Sequence, residues 1–75
     1  MRTTRTKETD YPKMVKYALT MVGKPTATII DGFAEKQRIG SARAGMVFWD
    51  LVDDGTFEIG SAGGRFVLEK IIMRG

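Results

Sequence analysis

The apolar residues between Gly40 and Gly55 repeat at the spacing of an α-helix, and this stretch constrains the fold more than any other. They fall at positions i, i+3, i+4, i+7 and i+8, which line one helix face: Ala44, Val47, Phe48, Leu51 and Val52. Ser41 is predicted to cap the helix, since a serine side chain accepts a hydrogen bond from an amide of the first turn. Gly55 is predicted to end it, so this long helix must bury one side against the rest of the chain.

The segment from Asp10 to Gly23 predicts an earlier helix. Asp10 is suited to cap it, and Gly23, which is followed closely by a proline, is suited to end it. The apolar residues between them recur at helical spacing: Met14, Val15, Ala18, Leu19 and Val22. This first helix is therefore expected to bury one face as well.

Two further elements are expected before the long helix. The run Thr26–Ile30 is short and rich in β-branched residues, which predicts a strand able to pair with a later hairpin. Asp31 is then predicted to cap a short second helix over residues 32–37. The inward-facing residues of that helix are expected to be Phe33 and Ala34.

The sequence after the long helix alternates as a β-hairpin does. Phe57 and Ile59 alternate with a glutamate in the first strand, and Phe66 and Leu68 alternate with outward-facing residues in the second. Gly60–Gly64 is predicted to form a flexible tip between them, because glycine accepts positive φ angles at no steric cost.

The order of these elements is that of a winged helix-turn-helix, in which a β-hairpin, the wing, follows three helices. We therefore predict an α+β fold with three helices, a short strand and a C-terminal β-hairpin. A chain of 75 residues suffices for one small domain. This domain is expected to cover residues 10–75, after a disordered basic tail over residues 1–9.

The composition excludes several kinds of site. The chain has no cysteine and no histidine, and neither Ser41 nor Ser61 has a base partner, so we expect no enzyme, no metal site and no cofactor. No apolar run approaches the ~20 residues of a membrane span and no secretory signal is present, so we expect a cytoplasmic protein that binds no membrane. Twelve basic and nine acidic residues give a net charge of +3, which is compatible with nucleic-acid binding.

Part of the chain resembles a DNA-binding family. The residues that carry the resemblance are Ile30–Phe33, Arg38–Gly40 and Ala42–Ala44. They are similar to the segment that opens the recognition helix in the C-terminal gamma domain of FtsK/SpoIIIE-type DNA translocases, and the likeness covers residues 11–68. The resemblance implies a winged helix whose third helix enters the major groove of duplex DNA and reads a short G-rich sequence.

Arg38 and Arg43 keep the positions of arginines in that family. The chain departs from the family at Ser41–Ala42, at Met46, where the family has a second arginine, and at Trp49. The family's target sequence is therefore not carried over to this chain. We expect a freestanding regulator or accessory protein rather than a fragment of a translocase.

The DNA contacts are expected from three places. The third helix and the turn before it supply Arg38, Ser41, Ala42, Arg43 and Met46, the wing supplies Gly63 and Arg65, and the tail supplies Arg2 and Arg5. Arginine can bond a guanine edge or clamp a phosphate, although Arg38 could instead pair with Glu35 or Asp31. The protein would occupy sites on double-stranded DNA, as small transcription regulators of phages and mobile elements do, as a homodimer or with a larger protein partner.

Met46 and Trp49 lie outside the apolar face of the long helix and support a second hypothesis. Methionine and tryptophan are enriched at protein interfaces. The alternative is a winged-helix interaction module, an inhibitor or adaptor, that binds a protein through Met46, Trp49, Asp50 and Asp53. Because the tryptophan could also cover the edge of the core or stack on DNA, the sequence leaves both functions open.

Overall fold

The computed structural model describes residues 2–72, with side chains from residue 10 onward. The elements of this part of the chain are α1 (Arg2–Ala18), α2 (Thr26–Gln37), α3 (Ser41–Asp53), β1 (Phe57–Ala62) and β2 (Arg65–Ile71). The strands form a two-stranded antiparallel sheet. The predicted α+β class is therefore confirmed. None of the helices within residues 2–72 has the length and apolar character needed to cross a membrane.

The core lies between the inner faces of the helices and the hairpin. Its buried residues are Met14, Ala18, Ile29, Phe33, Ala34, Ala44, Val47, Phe48, Leu51, Phe57 and Leu68. The predicted inner face of α3 is confirmed, except that Val52 is only partly buried. The ring of Phe48 contacts the rings of Trp49 and Phe57, with centroids 5.2 and 5.1 Å away. The contact between Phe48 and Phe57 joins α3 to the first strand of the hairpin.

The first helix differs from its prediction at both ends. It begins at Arg2, so Asp10 lies inside the helix instead of capping it. Of the tail predicted over residues 1–9, residues 2–9 are helical, and residue 1 lies outside the described residues. The carboxylate of Asp10 is buried because it pairs with a basic residue of α3, described below. The helix ends at Ala18 rather than near Gly23, and the residues beyond its end, Leu19 and Val22, are exposed.

The predicted strand over Thr26–Ile30 is wrong, because these residues form the first half of α2. Ile29 and Phe33 lie one helical turn apart and are both fully buried. Burial of this face outweighs the weak strand preference of the β-branched residues. Asp31 consequently lies in the middle of the helix, where it is exposed, and the N-cap residue is Pro25.

The strand predicted over Thr26–Ile30 was expected to pair with the hairpin. In the structure, the loop before α2 pairs with the hairpin instead. The Gly23 amide donates to the Leu68 carbonyl at 2.7 Å, and the Leu68 amide donates to the Lys24 carbonyl at 3.1 Å. Pro25 forms an isolated bridge with Val67. The loop thereby fixes β2 against the helices.

The ends of α3 and the hairpin also correct two predictions. Gly40 is the N-cap residue of α3, so Ser41 is the first residue of the helix and makes no cap hydrogen bond. The predicted glycine-rich tip is shorter, because Gly60–Ala62 belongs to β1. Gly63 and Gly64 alone form the turn, with φ angles of 59° and 78°. Positive φ at both central residues suits the right-handed twist of a two-residue hairpin.

Candidate functional site

The turn between α2 and α3 presents Arg38 to solvent in an uncommon backbone conformation. Its φ of 57° and ψ of 46° are left-handed, and within the described residues it is the sole non-glycine residue with positive φ. The conformation closes α2, because the Arg38 amide donates to the Glu35 carbonyl at 3.3 Å and the Ile39 amide donates to the Ala34 carbonyl at 3.0 Å. Among the side chains that the structure describes, none forms an ion pair with Arg38, so the pairing with acidic residues of α2 that the sequence allowed is not observed.

Arg43, in the first turn of α3, is held by Asp10 of α1. The Nε and Nη2 groups of Arg43 donate to Oδ2 of Asp10 at 3.0 and 2.8 Å. The Asp10 side chain is 8% exposed and the Arg43 side chain is 42% exposed. Because a guanidinium carries more N–H donors than this carboxylate oxygen takes, Arg43 keeps donors for a further acceptor. The sequence did not predict this pair.

Beyond Arg43, α3 exposes an apolar and acidic line. Met46 is 50% exposed and Trp49 is 39% exposed, and both Ala42 and Asp53 are exposed on the same helix. Asp50, predicted for the same surface, is half-buried and accepts a hydrogen bond from the Tyr11 hydroxyl at 2.8 Å. Asp50 therefore serves the packing of α1 on α3.

The remaining predicted contacts lie on other elements. Gly63 and Arg65 are exposed at the hairpin turn, as expected of a wing. Phe66, predicted to face inward, is 64% exposed beside them. Arg2 and Arg5 are in the first turns of α1, and their side chains lie outside the described ones. The predicted DNA contacts from Arg38 to Arg43 follow one another along the chain, so this segment is the candidate DNA-binding surface.

A basic groove between α1 and α2 was not predicted. It is lined by Lys13, Lys16, Tyr17, Thr20, Lys36 and Gln37. Tyr17 is fixed against α2, because its ring packs on Phe33 with centroids 5.9 Å apart and its hydroxyl lies against Gly32. The ammonium nitrogen of Lys36 lies 5.6 Å from the centroid of that ring. The spacing of Lys13 and Lys16, one helical turn apart, is the signal that the sequence offered.

The described residues contain no group of three or more acidic side chains placed to hold a metal ion. Compared with known proteins, the chain matches no family model, no curated protein and no solved structure at a significant level.

Proposed function

We propose that the chain is a winged-helix domain that binds duplex DNA through the N-terminal end of α3 and the turn before it. Support for the winged helix comes from the order of elements, since α2 and α3 are joined by a short turn and a hairpin follows. In helix-turn-helix proteins the N-terminal residues of the second helix of the motif reach the base edges. Here those residues are Ser41, Ala42 and Arg43, of which the first two are exposed and the third is half-exposed.

The observation that carries the proposal is the conformation of Arg38. A left-handed backbone costs an ordinary residue roughly 1–2 kcal/mol relative to the right-handed form, and glycine is the usual occupant of this position after a helix. An arginine held there, exposed and next to α3, supplies a charge where a duplex would lie. Backbone strain of this kind is concentrated at functional positions.

Arg43 supports the same docking geometry. Its pairing with Asp10 fixes the direction of the guanidinium and leaves 42% of the side chain exposed. A fixed guanidinium suits bidentate bonding to a guanine edge or a phosphate. Because Asp53 near the end of α3 would repel phosphates, we propose contact through the first turn of the helix only.

Fluorescence anisotropy with a labelled random-sequence duplex tests the proposal. Affinity should fall steeply between about 50 mM and about 200 mM salt, because neutralised phosphates release counterions. Arg38→Gln should weaken binding, whereas Lys70→Gln, which removes an exposed charge from β2, should have little effect. Absence of binding by the folded wild-type protein at the lower salt would contradict the proposal.

The exposed face of α3 supports a second candidate, an interaction module that binds a protein through Met46 and Trp49. The observation in its favour is that these large apolar side chains are 50% and 39% exposed one turn apart, beside the exposed Asp53. Under this hypothesis Met46→Glu abolishes partner binding in a protein that remains folded by circular dichroism, and Arg38→Gln has no effect. Under the DNA hypothesis Arg38→Gln instead weakens duplex binding.

A further inference from the structure

We propose that the groove between α1 and α2 is a second DNA contact, which binds phosphates of the duplex backbone. This inference rests on the proposed function and adds a site to it. Lys13, Lys16 and Lys36 line the groove, and its lining residues include no aspartate or glutamate. The positive charge of these lysines is therefore not compensated by an acidic residue in the lining of the groove.

Within the described side chains, no acidic partner is recorded for the lysines of the groove. In the part of the chain whose side chains are described, none of the three forms an ion pair, and the aromatic contact of Lys36 with Tyr17 leaves its N–H donors unused. Positive charges that share one groove repel each other, and the attraction of an anion bound between them offsets this repulsion. A cluster of lysines without acidic neighbours in the groove is thus suited to bind a polyanion.

The neutral groups of the groove match the same ligand. Gln37 and Tyr17 are among its lining residues, and both carry groups that are able to donate to phosphate oxygens. The Thr20 hydroxyl is different, since it donates to the Tyr17 carbonyl at 2.7 Å. Lysine ammonium groups act as point charges without the planar fork of arginine, so this set holds a backbone and reads no bases.

The position of the groove allows one duplex to contact both surfaces. Lys36 and Gln37 are the last residues of α2, and only the turn that contains Arg38 separates them from α3. Duplex DNA carries a negative charge about every 1.7 Å along its axis, so phosphates flank any segment that α3 meets. We therefore assign the groove to the backbone next to that segment.

The salt dependence of duplex binding tests the assignment. The variant Lys13→Ala/Lys16→Ala removes two groove charges, and Lys24→Ala/Lys70→Ala removes two exposed lysines outside the groove as its matched control. In the groove variant, the slope of log affinity against log salt should become shallower by about 0.9 for each phosphate that is no longer neutralised, with affinity reduced about tenfold at low salt and equally for all sequences. The control variant should keep the wild-type slope, and Lys13→Arg/Lys16→Arg should restore it.

The outcomes separate the two proposals. If wild-type protein binds the duplex but the groove and control variants show the same slope, the groove assignment is wrong and the proposed function stands. If folded wild-type protein does not bind, both are wrong. Thermal melts of each variant, followed by circular dichroism, establish that the comparison is made between folded proteins.

Discussion

Asp10 and Arg43 join α1 to α3 through one carboxylate oxygen, which accepts from both Nε and Nη2 of the arginine at 3.0 and 2.8 Å. The carboxylate lies in the interior and the guanidinium at the surface. Among the described side chains, Arg43 is the cation that pairs with the buried Asp10 carboxylate, whereas the exposed guanidinium of Arg43 can also bond water or a ligand. The pair thus contributes both to folding and to the orientation of a candidate DNA contact.

A double-mutant cycle should measure this dependence. Arg43→Gln leaves a buried carboxylate without its cation and should lower the free energy of unfolding by about 1–3 kcal/mol. Asp10→Asn should cost less, because Arg43 regains water. Urea unfolding of the single and double variants should give a coupling energy within about 0.5–3 kcal/mol, the range for residues in contact. Additive single-variant effects would show that the pair contributes nothing to stability.

Gly32→Ala should destabilise the protein, against the usual trend for helices. Alanine normally stabilises a helix interior by roughly 0.5–1 kcal/mol relative to glycine. A Cβ at position 32, however, would overlap the Tyr17 hydroxyl, and overpacking costs about 1–3 kcal/mol. Thermal unfolding should therefore show a lower midpoint for Gly32→Ala.

Two variants control for this effect. Gly45→Ala in α3 should be stabilising, because its Cβ would meet Ile30 Cγ2 at 3.9 Å, an ordinary contact. Adding Tyr17→Phe to Gly32→Ala should recover much of the loss, since it removes the overlapping oxygen. A gain in stability from Gly32→Ala alone would mean that Tyr17 does not lie over this glycine.

Phe48 and Phe66 should differ sharply when each is replaced by alanine. Phe48 is fully buried between Trp49 and Phe57, and its loss should cost about 3–5 kcal/mol. Since small domains are stable by only about 5–15 kcal/mol, this variant should be largely or partly unfolded at about 37 °C. Phe66→Ala should change stability by no more than about 0.5 kcal/mol, because its side chain is 64% exposed. Equal losses in urea unfolding would contradict the burial of these two rings.

Arg38→Gly should separate stability from DNA affinity. Glycine adopts the left-handed conformation of this turn without strain, so the free energy of unfolding should stay unchanged or rise by up to about 1 kcal/mol. Duplex affinity should fall, because the exposed guanidinium is removed. Arg38→Asn is the matched variant, since asparagine also tolerates this conformation. Retained affinity in both would show that Arg38 makes no contact with DNA.

The sequence predicted α3 well because its apolar spacing is long and bounded by glycines at both ends. The start of α2 could not be placed in the same way. The residues of Thr26–Ile30 prefer strands locally, and only the burial of Ile29 beside Phe33, a tertiary effect, selects the helix. The spacing of Ile29 and Phe33, one turn apart, was the available helical signal.

The candidate site was less predictable than the fold. An aspartate ahead of a helical pattern is equally consistent with a helix cap and with a partner in an interior ion pair. Asp10 forms an ion pair with Arg43. The basic groove depends on the placement of Lys36 against Lys13 and Lys16 of another helix, which no local pattern contains. Exposure of Met46 and Trp49 was predictable, because they lie off the apolar face of α3.

The pairing of the hairpin has a consequence for self-association. β2 pairs with β1 on one side and, at Leu68, with the backbone of Gly23 and Lys24 on the other, so within the described residues β1 is the strand whose outer edge has no backbone partner. The register shifts between Glu58 and Ile59, and such a bulge increases local twist. A twisted edge that carries an exposed glutamate is a poor template for another strand, so the sheet is protected against edge-to-edge aggregation.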